Sequence, residues 1–198
     1  MLPESQWLSS TDEMDKIAHH FTEIMEALGL DLSDDSLKGT PRRVAKMYVK
    51  EIFSGLDPKN KPSLSVFDNK YNYNKMLVEK DITFESACEH HFLPMRGKAH
   101  IAYISKGKVI GISKINRLVD FYSRRPQVQE RLTMQICKAM KEALGTDDVI
   151  VYIEAEHLCV TTRGVDDKTS RTCTIAYEGI FKELDYRKEF LQIIQPKT

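Results

Sequence analysis

The feature that limits the fold most is a change of hydrophobic period between about residue 56 and residue 76. Before it, apolar residues recur at helical spacing: Ile17, Phe21, Ile24, Met25 and Leu28 make one stripe, and Val44, Met47, Tyr48 and Ile52 a second. Ser10 with Glu13 fits a capping box at the start of the first helix, and Gly29 a stop at its end. Thr40-Pro41 reads as a cap followed by proline at the start of the second. The polar stretch Asp57–Asn74 reads as a loop. After it, short β-branched or aromatic segments at 76–86, 97–104 and 108–112 are divided by turn residues such as Ser105-Lys106-Gly107. Ser113 then caps a helix carrying Ile115, Leu118, Val119 and Tyr122. A longer helix runs from Val128 to about Leu144 and stops at Gly145. Two more strands, Val149–Cys159 and Arg171–Tyr177, precede a helical segment at Phe181–Phe190. Helices, strands, a helix pair and strands again predict an α+β fold, an antiparallel sheet backed by helices on one face. The expected division is 1–75 as a helical region with linker and 76–198 as the sheet-bearing domain.

Charge removes several functions. The chain has 29 basic and 29 acidic residues in 198, so no global field draws it to nucleic acid or to an anionic membrane. No apolar run reaches the roughly 18 to 20 residues that span a bilayer. The first residues have neither a basic n-region nor an apolar h-region, and a cytoplasmic location is expected. Four cysteines in such a chain read as thiols or metal ligands rather than disulfides.

Two of those cysteines stand beside histidines. Cys88-Glu89-His90-His91 offers a thiolate and an imidazole three apart, donors that zinc prefers and that a backbone turn can bring round one ion. His157-Leu158-Cys159 closes the strand from Val149, where residues two apart share a face. Two Cys/His pairs about seventy residues apart suit one shared metal. Three readings fit the spacing: buried thiols with ordinary histidines, a closed structural site, and an open catalytic site. Five candidate donors exceed the three that a catalytic zinc takes, which leaves histidines for proton transfer. Cys137 and Cys173, without a neighbouring histidine, read as packed thiols. His19 and His20 read as exposed, and His100 as a strand residue.

Cations add a second layer. Ser113, Lys114 and Arg117 at a helix start suit a phosphate, as does Arg163 beside Gly164; a solvated basic face fits equally. Gln129-Glu130 opens the long helix. Glu130 there complements the helix dipole, or pairs with the Watson–Crick edge of a guanine.

Six strings occur in order: SACEHHFLP (86–94), GKAHIAYI (97–104), VIGISKINRLVD (109–120), QVQERLTMQI (127–136), EAEHLCV (154–160) and RGV (163–165). Together they resemble the GTP cyclohydrolase I family, over roughly Asp12 to Phe181. The resemblance implies the tunnelling fold with an N-terminal helical extension, and a toroidal homodecamer with active sites at subunit interfaces. It implies one zinc per subunit, held by Cys88, His91 and Cys159. The substrate would be GTP. Water activated by the metal would add to C8 of the guanine, His90 and His157 would move protons as the imidazole ring opens, and C8 would leave as formate. Rearrangement of the ribose, assisted by Ser113, would give 7,8-dihydroneopterin triphosphate. Gln129 and Glu130 would hold the guanine edge, and Lys114, Arg117 and Arg163 the triphosphate. Two relatives compete: a nitrile reductase of the same fold, which needs no Cys/His/Cys trio, and an inactive zinc-stabilised module, which has no need of His90, His157 and Glu130. The chain departs from the family pattern at Pro126, commonly leucine, at Val160-Thr161-Thr162, and at Asp166-Asp167, where a basic residue is usual.

Overall fold

The computed structural model describes residues 10–195, except the side chain of Ser10. Two compact units divide between Asn60 and Lys61.

In the first unit, α1 (Ser10–Ala27) ends where Gly29 turns left-handed at φ 76°. That lets the N–H groups of Gly29 and Leu30 close on the carbonyls of Glu26 and Met25 at 2.9 and 3.1 Å. The cap expected of Ser10 lies outside the described side chains. Helix α2 (Thr40–Met47) passes into a π-helical turn at Tyr48–Ile52. Gly39, not Thr40, holds its cap position, and the Thr40 hydroxyl accepts from Arg43 Nη2 at 2.8 Å. Arg42 and Asp15 pair between the two helices.

The second unit holds the sheet. Its order is β5 (Pro126–Gln127), β2 (Met76–Cys88), β3 (Pro94–Ile104), β6 (Val149–His157) and β7 (Thr172–Tyr177). All pairs are antiparallel except the two-residue parallel bridge of β5 to Ala87 and Cys88. A separate ribbon pairs β1 (Val66–Asp68) with β4 (Lys108–Ile110). Strand β1 falls inside the stretch read as loop, because three residues gain a ladder only from a partner forty positions away.

Alternation sets the core face. Ile82 and Phe84, Met95, Ala99 and Ile101, and Val149, Val151, Ile153 and Ala155 all point to one side. They meet Ile115, Leu118 and Val119 of α3 (Ile112–Ser123) and Leu132, Ile136, Met140 and Leu144 of α4 (Gln129–Leu144). Each such side chain contributes about 1.5–3 kcal/mol by leaving water. Gly145 at φ 64° ends α4 where expected. The cover is not confined to one face. Helix α6 (Leu184–Ile194) lays Phe190 on the opposite side, with Phe181, Ala102 and Ile150. It reaches only the end of the sheet near Met76 and Tyr177. Cys173 therefore stays exposed on β7, contrary to its reading as a packed thiol: it faces away from α3 and α4, beyond the reach of α6. Its Sγ lies 2.9 Å from the Tyr152 hydroxyl. Cys137, inside the core, is the packed thiol expected, and burial pushes it up to about 11.

Gly97 fixes how closely β3 and β6 approach. A Cβ there would sit 2.0 Å from the Glu154 carbonyl oxygen. Among the described residues no helix is long and apolar enough to cross a membrane.

Candidate functional site

The hairpin from β2 to β3 supplies half of one site. Cys88 N–H donates to Leu93 O at 2.8 Å, and the N–H groups of His91 and Phe92 return to Cys88 O at 3.3 and 2.8 Å. Phe92 accepts a left-handed φ of 55° to close the loop. This one-turn coil is what carries His91 back over Cys88. Glu89 fastens the loop to α4 by pairing with Arg131, whose guanidinium holds the Glu89 carboxyl below the usual range. Arg131 Nε also donates to Gln127 Oε1 at 2.9 Å.

Strand β6 supplies the other half, with one difference from expectation. The strand stops at His157, and Cys159 lies in a single helical turn, α5 (Leu158–Thr161). Successive residues then rotate by about 100° rather than 180°, so Cys159 no longer shares the face of Val151, Ile153 and Ala155. The change of path brings Cys159 to the hairpin: ligand atoms of Cys88, His91 and Cys159 lie within 4.8 Å of one another. Cys88 is buried, Cys159 half-buried and His91 exposed. Burial and the neighbouring Cys88 push the Cys159 thiol up, and the Arg163 charge pulls it down. Two thiols and an imidazole closing on one point, open to solvent on the His91 side, fit a single soft or borderline cation.

Proton-carrying groups surround this trio. His90 Nδ1 lies 3.7 Å from Cys88 Sγ. His157 is half-buried; burial lowers it from the usual imidazole range, and Glu130 opposes that shift. Glu130 is exposed at the start of α4, and its charge is felt at His157. Gln129, one residue earlier, is 1 % exposed. Its Nε2 donates to Ile153 O, Thr172 O and Thr174 Oγ1, and its Oε1 meets His157 Nε2 at 2.8 Å. Both its N–H groups are engaged inside the chain and its Oε1 faces His157. Asp166 and Asp167 are exposed, paired with Lys168 at 3.8 Å and with the Thr169 N–H at 3.0 Å.

Ser113, Lys114 and Arg117 are not brought to this end. Helix α3 starts at Ile112 with Gly111 in the cap position, so Ser113 is an exposed residue of the first turn and no cap. That start follows β4, whose Ile110 N–H donates to the Tyr103 hydroxyl. Tyr103 pairs with Leu77, whereas Ala87 pairs with Pro94 at the Cys88–His91 hairpin. Helix α3 runs back from that level toward Arg125, whose carbonyl accepts from Ser86 beside the hairpin, so Ser113 stands twelve residues, ~18 Å at the helical rise, from it. No lysine or arginine side chain spans that. Arg117 lines a cavity of about 630 Å³ with Lys80 and Asn116, but Glu79, Asp81 and Asp120 line it too. Two cations against three carboxylates do not attract a triphosphate unaided.

Comparison with known proteins identifies the family. A sequence profile of GTP cyclohydrolase I matches residues 17–195. The GTP cyclohydrolase 1 of Flavobacterium johnsoniae is 54% identical over 191 residues, 96% of this chain and 86% of that protein. Those of Aeromonas salmonicida and an Enterobacter species are 55% and 56% identical, over 93% and 90% of this chain and 85% and 81% of theirs. An archaeosine synthase QueF-like crystal structure aligns with 52% of this chain and 93% of its own, at a TM-score of 0.45 and 20% identity. That likeness is too loose to define the fold. By profile, identity and coverage, this chain belongs to the GTP cyclohydrolase I family.

Proposed function

We propose that the chain catalyses the GTP cyclohydrolase I reaction: hydrolytic opening of the guanine imidazole ring of GTP, loss of C8 as formate, and rearrangement to 7,8-dihydroneopterin triphosphate. The observation that carries this is the convergence of Cys88, His91 and Cys159 beside two histidines that the trio does not use. Such a donor set fits zinc, one ion per subunit, which when bound supplies the Lewis acidity that makes water nucleophilic near neutral pH.

The protein's own groups do the rest. Glu130, solvent-facing and close to His157, accepts the N–H groups of the guanine edge and so sets C8 toward the trio. His90 and His157 exchange protons with the base as the C8–N9 bond opens and formate leaves. Arg163, whose charge is felt at Cys159, meets phosphate from the metal side. Ser113, Lys114 and Arg117 serve the triphosphate and ribose of a site on another copy, because their own hairpin is out of reach. This accords with the tunnelling fold as a homodecamer with shared active sites.

The test is formate release from GTP by zinc-loaded protein, with the fluorescent oxidised pterin followed in parallel. Formate and pterin in equal amounts are expected, both abolished by a chelator and restored by zinc. A folded, zinc-replete protein that yields neither would overturn the reading.

A further inference from the structure

We infer that Gln129 is a positioning residue: it fixes the half-buried His157 ring in one plane with its proton on Nε2, and so leaves the lone pair on Nδ1, the nitrogen available to the reaction. The inference rests on the proposed function only for the use of that nitrogen. The tautomer follows from hydrogen bonds alone.

A glutamine amide can be turned either way, so its orientation must come from neighbours of one fixed character. Gln129 has two. The carbonyl oxygens of Ile153 and Thr172, 3.1 and 2.9 Å from the amide, can only accept, so the NH₂ must face them. The hydroxyls agree. Thr133 donates to Gln129 O at 2.8 Å, so its oxygen is left to accept from Thr174 at 2.7 Å. Thr174, having used its proton, accepts from Gln129 Nε2 at 3.1 Å. Every donor in this chain then has an acceptor. Gln129 Oε1 is left facing His157 Nε2 at 2.8 Å, and an oxygen without a proton requires N–H there. A neutral imidazole carries one proton, so Nδ1 holds the lone pair. Among the described residues Nδ1 has no hydrogen-bond partner.

The location makes the restraint strong. Gln129 is buried at the first turn of α4, and its amide joins that helix to β6 and β7 at once. Turning the amide over would face Oε1 to two carbonyl oxygens in a dry site and leave both carbonyls without a donor. The other tautomer of His157 would face a lone pair to Oε1. One residue thus sets both the plane and the proton of the ring, the way a buried acceptor behind a catalytic imidazole does elsewhere.

The experiment uses the full-length, zinc-loaded protein with ¹⁵N in the histidine rings, sedimented for solid-state NMR, and His157 identified by loss of its signals in His157→Gln. A protonated Nε2 and a pyridine-type Nδ1 are expected. A protonated Nδ1 in the neutral ring overturns the inference whether or not GTP is turned over. Gln129→Met keeps the length and volume but not the acceptor. It is expected to lose at least about tenfold in kcat, with KM for GTP within about twofold and the zinc retained. A rise in KM with kcat preserved would instead mark Gln129 as a guanine contact and also overturn the inference. Should Gln129→Met fail to fold, the wild-type spectrum still decides. Absence of formate from wild type would count against the reaction and leave the tautomer measurement standing.

Discussion

The two ends of the central sheet are built differently. At the Cys88 end, a one-turn loop, a strand that turns helical after His157, and the buried Gln129 converge on a few ångströms. At the Met76 end, Ser113 and Arg117 stand exposed on the first turns of α3, and the cavity beside Arg117 carries more acid than base. The first arrangement is pre-organised within one chain; on the proposed reading, the second is completed by another copy. Bond-breaking needs donors held in fixed geometry before the substrate arrives, whereas a flexible triphosphate can be met by cations from separate surfaces. Chemistry is accordingly assigned to one end and recruitment to the other.

The sharpest way to break this contrast is to disable each end in a different chain. Cys159→Ala is expected to lose bound metal and at least about 10³-fold in kcat. Lys114→Ala/Arg117→Ala is expected to keep the metal and lose affinity for GTP. Co-assembled after unfolding and refolding together, the two inactive proteins should recover activity, up to about a quarter of wild type if each site takes one end from each of two copies. No recovery in mixed oligomers of verified composition would mean that each site lies within one chain.

A smaller effect tests the scaffold of the metal end. Gly97→Ala would drive a methyl carbon into the Glu154 carbonyl and part β3 from β6 two residues before His157. The expected cost is roughly 3 kcal/mol or more, read as the shift of a urea midpoint, with a larger loss of turnover than of GTP affinity. Unchanged stability would mean that the strands can separate without penalty.

The smallest effect is away from both ends. His100, buried on β3, accepts the Asp81 N–H at 3.2 Å where β2 bulges and Asp81 turns left-handed at φ 61°. Burial lowers it from the usual imidazole value, and the charges of Lys80 and Lys98 add to that while Asp81 and Glu154 oppose it. The unfolded chain therefore binds the proton more readily. Its contribution to stability is complete above about pH 6.5 and is lost as pH falls below, by less than about 1.4 kcal/mol per unit. Unfolding midpoints at pH 7.5 and pH 5.5 should differ less in His100→Gln than in wild type, and an equal difference would exclude His100 as the source.

Much of this was legible in the sequence, and what escaped has identifiable causes. Helix stripes, the run of strands and the Cys/His pairs rest on residue type and short spacing, which survive without tertiary context. The end of β6 at His157 did not, because nothing in HLCVT forbids two more extended residues; the pull comes from the hairpin opposite. The caps assigned to Thr40 and Ser113 failed for a shared reason: a glycine just upstream of each, Gly39 and Gly111, took the cap position, and each hydroxyl fell within the first turn. Cys173 alternates correctly with Ile175 and Tyr177, yet alternation gives two faces and does not say which is covered. Gln129 and Glu130 look equivalent in sequence, but a helix turns about 100° per residue, and packing sent one inward and the other out.

That last division makes the connection before α4 a ruler. Ser86 Oγ donates to Arg125 O at 3.1 Å and Glu89 N–H to Gln127 O at 3.0 Å, so the chain is clamped beside the Cys88–His91 loop only two residues before Gln129. Gln127 is buried and bonded to Arg131, whereas position 126 accepts a proline, which gives its carbonyl to Arg131 and has no N–H to offer. One residue added or removed would wind α4 round by about 100° and exchange the inward and outward places of its whole first turn. Across descendants of this sequence, the number of residues between the clamp and the helix should vary less than their identity.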